Sequence, residues 1–196
     1  MDHAVALVQA YLRVNGYFTV SEYPVIVPAA GGGFRTATDL DILAFRFPGA
    51  GPLSPQETVG ADPALGIAPD RPDMLIGEVK EGRAELNRAA TDPAVLRAVL
   101  TRFGCCPLEA ADQAVRQLRR RGQAPLPGGH EVRLVAFGSV LDPQPGGPYG
   151  RLALGHVLRF LEEYVDRHWE SLRVEESKDP AFGFLILRAK ANRARS

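Results

Sequence analysis

Two segments constrain this chain more than any others: Thr38-Asp39-Leu40-Asp41-Ile42-Leu43-Ala44-Phe45 and, further along, Met74-Leu75-Ile76-Gly77-Glu78-Val79-Lys80. Each reads as a short apolar strand carrying acids at one end. In a strand, residues i and i+2 project to the same face. Glu78 and Lys80 therefore project together, and Val79 turns the other way, into a core. With the first strand beside the second, Asp41 meets them at the same sheet edge. Two carboxylates and one amine converging there suit a divalent cation and the water it activates.

The rest of the chain allows a core around such a sheet. At 196 residues it suits one domain, long enough to bury a hydrophobic interior. We read 1–196 as a single domain with an irregular Pro/Gly-rich insertion at 48–72 and a C-terminal helical extension at 150–196. No apolar run approaches the roughly 18 residues that a membrane span requires. The N-terminal residues lack the basic start and apolar stretch of a signal peptide, so a cytoplasmic protein with no membrane partner is expected. Lys plus Arg and Asp plus Glu both total 23, and overall charge therefore gives no argument for a polyanionic partner. Local asymmetry does. Arg116, Arg119, Arg120 and Arg121 cluster on or after one helix, and Arg188, Lys190, Arg193 and Arg195 make a basic C-terminus. Cys105 and Cys106 are the only cysteines; adjacent, they suit reduced, packed thiols rather than a strained vicinal disulfide or a zinc site.

Periodicity sets the order of elements. Apolar residues at Ala4, Val5, Leu7, Val8, Tyr11 and Leu12 predict a helix over His3 to Val14, closed by Gly16. Tyr17–Val27 and Arg35–Phe47 read as strands around the turn Gly31-Gly32-Gly33. Pro48 to Pro72 is long for a loop and suggests a flap or a mobile insertion. A third strand runs Asp73–Lys80, and Asp92-Pro93 marks the start of a helix over Ala94–Phe103. Pro107–Arg121 follows as a second helix, Glu131–Leu141 as a fourth strand and Leu152–Leu172 as one long amphipathic helix. Asp179-Pro180 begins a last segment over Ala181–Lys190, read as a helix from its cap, while its apolar run Phe182–Leu187 also fits a strand. This order predicts an α/β fold with a mixed four-stranded sheet flanked by helices.

That order, with Asp41 in the second strand and Glu78-Val79-Lys80 closing the third, resembles the PD-(D/E)XK, or restriction-endonuclease-like, nuclease superfamily, whose common core is αβββαβ. The resemblance covers roughly Ala4 to Leu141 without the insertion, and Gly16-Tyr17-Phe18 resembles the start of the first strand in resolvase-like members. It implies Asp41 and Glu78 as metal-binding acids and Lys80 as the lysine beside the attacking water. Mg²⁺ (or Mn²⁺) would be held by Asp41, Glu78 and the Val79 carbonyl, and the substrate would be nucleic acid, with DNA foremost. Gln113 and Gln117 sit where some members place a glutamine facing the site, and Arg116, Arg119 and Arg120 are candidate nucleic-acid contacts. Three features depart from the pattern. The first helix offers Gln9 and no acid after Asp2, the separation of Asp41 from Glu78 is long, and the chain is not basic overall.

Some alternatives stay open at this level. Asp39 is either a further ligand or a structural cap, and Glu22 points at the site or at water. Glu78 and Lys80 can also be read as a surface ion pair worth under about 1 kcal/mol. On that reading the chain is a catalytically inactive module that binds a protein partner or a second copy. Phe160, Leu161, Tyr164, Val165 and Trp169 fit a core face better than an interface.

Overall fold

A computed structural model of the chain describes residues 2–51, 61–143 and 146–194. Helix α1 (His3–Val14) is capped at its start by Asp2 and followed by Asn15 and Gly16, the glycine at φ 87°. Strands β1 (Tyr17–Pro28) and β2 (Phe34–Arg46) form a long antiparallel hairpin. A single 3₁₀ turn at Pro63–Leu65 precedes β3 (Asp73–Arg83), which pairs antiparallel with β2. Helices α2 (Pro93–Arg102) and α3 (Leu108–Arg121) then carry the chain over to β5 (Glu131–Val140), parallel to β3. The first three strands are therefore a meander and the fourth long strand arrives by crossover, as expected.

The sheet has six strands rather than four. The three-residue β4 (Gln123–Pro125) pairs antiparallel with the first half of β5, and β6 (Gly150–Ala153) pairs parallel with its second half. The segment expected as one helix over Leu152–Leu172 divides accordingly. Leu152 and Ala153 are in β6, α4 covers Leu154–Arg167, and a separate turn α5 covers Trp169–Leu172 after a break at His168. Helix α6 (Pro180–Arg193) starts at the Asp179 cap and runs slightly past its expected end. None of the described helices is long and apolar enough to cross a membrane.

Helices cover both faces of this mixed sheet. Tyr17, Ile42, Ala44, Leu75, Val135 and Phe137 pack with α1, α4 and α6 on one face. On the other, Val25, Leu43, Met74, Ile76, Val132 and Leu134 pack with α2 and α3. Leu161, Tyr164 and Val165 are buried in the first cluster, with Phe160 and Trp169 against it, so this stripe is core. Cys105 and Cys106 are free thiols buried in the second cluster, and burial pushes the Cys105 thiol up to about 11.

Two buried polar nodes bind the layers. The Arg133 guanidinium takes the Asp73 carboxylate at both oxygens (2.7 and 2.8 Å) and donates to the Leu65 carbonyl at 2.7 Å, while the Tyr17 hydroxyl donates to Asp73. Asp62 accepts from the Tyr11 hydroxyl at 2.7 Å and meets His156 Nε2 at 2.6 Å, and its amide donates to Asn15 Oδ1. The C-terminal flank of the Pro48–Pro72 insertion is thus pinned to α1 and α4. Of the flap expected over Pro48–Pro72, residues 52–60 lie outside the described residues.

Arg133→Ala strands the Asp73 carboxylate, which is 3% exposed. Removing one partner of a buried pair costs about 3 kcal/mol. At 2–4 °C per kcal/mol for a chain of this size, the midpoint should fall by roughly 6–12 °C in a thermal melt.

Candidate active site

Asp41 and Glu78 lie where the sheet forks. The β2–β3 ladder runs from Arg46↔Asp73 to Ile42↔Gly77. Past that point β2 continues alongside β1, and β3 alongside β5 through Lys80↔Gly138. The next residues on the diverging strands are Asp41 and Glu78. The Val79 N–H points into the gap and donates to Asp41 Oδ2 at 2.8 Å. A carboxylate stands where a ladder carbonyl would otherwise accept.

The backbone is unusual at the same level. Ser21↔Ile42 and Tyr23↔Leu40 are paired, which sets Glu22 opposite Asp41, and Glu22 has φ 53°. Non-glycine residues rarely adopt this left-handed conformation. Side-chain alternation reverses here in both strands. Ile42 packs with the α1 face, whereas Leu40, two residues away, packs with the α2/α3 face. Tyr17 and Tyr23 are divided in the same way along β1. Asp39 and Asp41 therefore do not share a face, contrary to the simple i, i+2 expectation. Asp39 is exposed, paired with Pro24 at the β1 side.

Glu78 is buried, 5% exposed. Its Oε1 accepts from Asn87 Nδ2 at 2.7 Å and lies 3.4 Å from Lys80 Nζ. Its Oε2 is buried with no hydrogen-bond partner among the described residues. Asn87 is itself fixed, because its Oδ1 accepts from the Ala90 N–H at 2.6 Å in the turn leading to α2. Burial pushes the Glu78 carboxyl above its usual range, and the charge of Asp41 adds to this, against Lys80 and Asn87. Burial likewise raises Asp41, opposed by the Val79 N–H and Lys80 and reinforced by Asp2 and Glu22.

Asp41, Glu78, Val79 and Lys80 thus come together as the strand pattern suggested. Gln113 and Gln117 do not join them. They line a groove along α3 with Arg116, Arg120 and Arg121, while Arg119 faces a neighbouring groove with Arg116 and Arg120. Gln9 is also directed elsewhere, donating to Thr19 Oγ1 at 3.2 Å. Sequence reasoning missed Asn87, which carries no motif. It left Glu22 unassigned and passed over Asp2, which caps α1 by accepting from the Ala4 N–H at 2.7 Å. A helix-starting acid before an amphipathic run was the available signal for Asp2. Among the described residues, no three His, Cys, Asp or Glu side chains are grouped closely enough to hold a metal ion by themselves. Compared with protein-family models, curated proteins and solved structures, the chain matches none.

A carboxyl raised in the folded state binds its proton more tightly there than in the unfolded chain. Stability then falls as pH rises through the folded value and recovers as pH falls back through it. Glu78→Gln should accordingly melt higher than wild type at pH 8 without added metal, with the gap narrowing toward pH 5. Glu22→Gly should relieve about 1 kcal/mol of backbone strain. That raises the midpoint by about 2–4 °C, read in the same melts.

Proposed function

We propose that the chain is a metal-dependent nuclease of the PD-(D/E)XK kind, hydrolysing phosphodiester bonds of nucleic acid, with DNA the expected substrate. One observation carries this reading: two carboxylates, Asp41 and Glu78, are held side by side in a partly dry fork beside Lys80, with Glu78 Oε2 left unpartnered. Like charges brought together in this way raise each other's proton affinity, so the arrangement is costly unless a cation joins it. The order α1, β1, β2, β3, α2–α3, β5, with Asp41 on the second strand and Glu78-Val79-Lys80 on the third, supports the restriction-endonuclease-like αβββαβ core.

The residues present fit Mg²⁺ or Mn²⁺. Mg²⁺ commonly takes only one or two carboxylates and completes its shell with water and substrate phosphate oxygens. Asp41, Glu78 and the Val79 carbonyl would hold it. Bound there, the ion supplies charge neutralisation at the phosphate and a lowered pKa for a ligated water. The protein's own part is orientation. The Val79 N–H fixes one Asp41 oxygen, and Asn87 fixes one Glu78 oxygen while the other stays unpartnered among the described residues. Lys80, whose side chain is 39% exposed, extends from buried Glu78 toward solvent. Its ammonium can hold the attacking water and stabilise charge developing on the phosphate.

A second reading keeps the fold without turnover and makes it a partner-binding module. It draws on the aromatic patch beside edge strand β1, where Phe18 is 70% and Phe47 55% exposed and the rings meet edge to face. Cleavage separates the two. Wild type incubated with Mg²⁺ or Mn²⁺ should cut at least one of linear duplex, single-stranded or branched DNA, and EDTA should stop it. Lys80→Ala should lose about 100-fold or more of the rate, as for a positioned catalytic group. Failure of the wild type to cut any of these or RNA, with a partner still captured through Phe18 and Phe47, would give the module reading the lead.

A further inference from the structure

We propose that the groove between the exposed face of α3 and the loop Gly146–Tyr149 binds the phosphodiester backbone of a nucleic-acid strand. This deepens the nuclease reading, on which it rests, by naming how the strand is held beside the fork. The groove is lined by Arg116, Arg119 and Arg120 on one side and by Gly147, Pro148 and Tyr149 on the other, with Thr91 at its end. Positions 116, 119 and 120 have the i, i+3, i+4 spacing that puts side chains on one side of a helix.

The charge pattern selects an anion. Several arginines elsewhere on the surface meet acids: Arg83 with Asp142, Arg97 with Asp112, Arg188 with Glu162 and Arg193 with Asp166. Among the described residues, Arg116, Arg119, Arg120 and Arg121 have no carboxylate partner. A helix C-terminus favours cations in its last turn, which accounts for some of Arg119, Arg120 and Arg121. Arg116 lies further back, and like charges at this spacing repel. An extended row of phosphates resolves that repulsion, since guanidinium forks match phosphate oxygens in geometry as well as charge.

The groove is also built. Gly122 closes α3 at φ 70°, and a Cβ there would lie 2.1 Å from the Pro148 carbonyl oxygen, so the loop rests directly on the helix end. Arg151 stacks 3.9 Å over the Tyr149 ring and donates to the Tyr149 carbonyl at 3.2 Å, which holds the loop's shape. The Leu86 N–H donates to the Tyr149 hydroxyl at 3.4 Å, and the next residue, Asn87, is the one that orients Glu78. The short segment from Leu86 to Thr91 is therefore shared: Asn87 faces the fork, and Thr91 faces the groove.

The test is anisotropy of fluorescein-labelled oligonucleotides, single-stranded and duplex, bound in EDTA so that nothing is cut. The Arg116→Ala/Arg120→Ala variant is compared with an Arg188→Ala/Arg193→Ala control and with wild type, after melts show all three folded. The α3 variant should bind at least 10-fold more weakly at 0.1 M salt, and the slope of log affinity against log salt should shrink by about two, near 0.9 per lost phosphate contact on a duplex. The control should stay within twofold of wild type. No oligonucleotide binding by wild type, or an α3 variant with unchanged affinity and slope, overturns the proposal. Equal, Arg116-dependent binding of poly-glutamate overturns it too, by assigning the groove to acidic protein. Binding that needs the α3 arginines, without any cleavage in Mg²⁺ or Mn²⁺, would sink the nuclease reading and keep the groove. Cleavage that needs Lys80 but binding that ignores α3 would do the reverse.

Discussion

The hydrogen bond from the Val79 amide to the Asp41 carboxylate settles how this sheet can open without leaving a buried donor unpaired. A backbone N–H withdrawn from water needs an acceptor, and in a continuous ladder the neighbouring strand provides one. Here the neighbouring strand leaves after Ile42, because β2 stays with β1 while β3 stays with β5. A side-chain carboxylate fills the place of the missing carbonyl. The same bond fixes a negative charge within the plane of the sheet, next to Glu78. The site's other features gather around that placement: two acids whose proton affinity is raised first by burial, the Asn87 and Lys80 contacts to Glu78, and the unpartnered Glu78 oxygen.

The fork needs a rigid surround, and the structure supplies it at both ends of the central strands. At the start of β3, Asp73 is clamped by Arg133 from β5 and Tyr17 from β1, which ties three strands across the sheet. Beyond Lys80, Gly138 lets β3's continuation close over β5. A Cβ at Gly138 would lie 2.4 Å from the Ala84 nitrogen, whose N–H donates to the Val140 carbonyl. Between these ends β3 has little freedom, so the spacing of Glu78 from Lys80 is set by the strand. The strain at Glu22 fits this picture. Unfavourable backbone geometry persists only where neighbours over-determine it, and the residues on either side of Glu22, Ser21 and Tyr23, are both paired with β2.

Much of this was legible because the signals were local. Helices α1, α2 and α6 begin at Asp caps, two of them followed by proline, and the long strands carry β-branched and aromatic runs. The convergence of Asp41 with Glu78 and Lys80 required only that consecutive strands pair. What escaped was either too short or set by tertiary contact. Strand β4 has three residues and ends in proline, and β6 merges into the pattern of the helix after it. The break at His168 has no glycine or proline to announce it; His168 is buried, its ring 4.2 Å from that of Tyr164. The reversal of alternation at Glu22 and Asp41 cannot be seen in a periodicity that assumes a regular pleat. It changed the placement of Asp39, and it gave Glu22 the role of a charge acting on Asp41.

A net charge of zero would ordinarily argue against a polyanionic partner, because non-specific affinity for nucleic acid grows with the phosphates neutralised. The argument loses its force once charges are placed. Two of the three acids of α4, Glu162 and Asp166, are paired with Arg188 and Arg193 of α6, and such pairs present little field to solvent. The acids at the fork do the opposite: they concentrate negative charge at one point, and they would repel a phosphate that arrived alone. On the proposed reading, a strand approaching that fork needs attraction from somewhere nearby, and the α3 arginines, without a carboxylate partner among the described residues, would provide it across the shared Leu86–Thr91 segment. Separation of the two signs, rather than an excess of either, is what a site combining a cation with a polyanion requires. Screening at physiological salt limits such attraction to about 8 Å, which makes the closeness of the groove to the Asn87 turn matter more than the total charge.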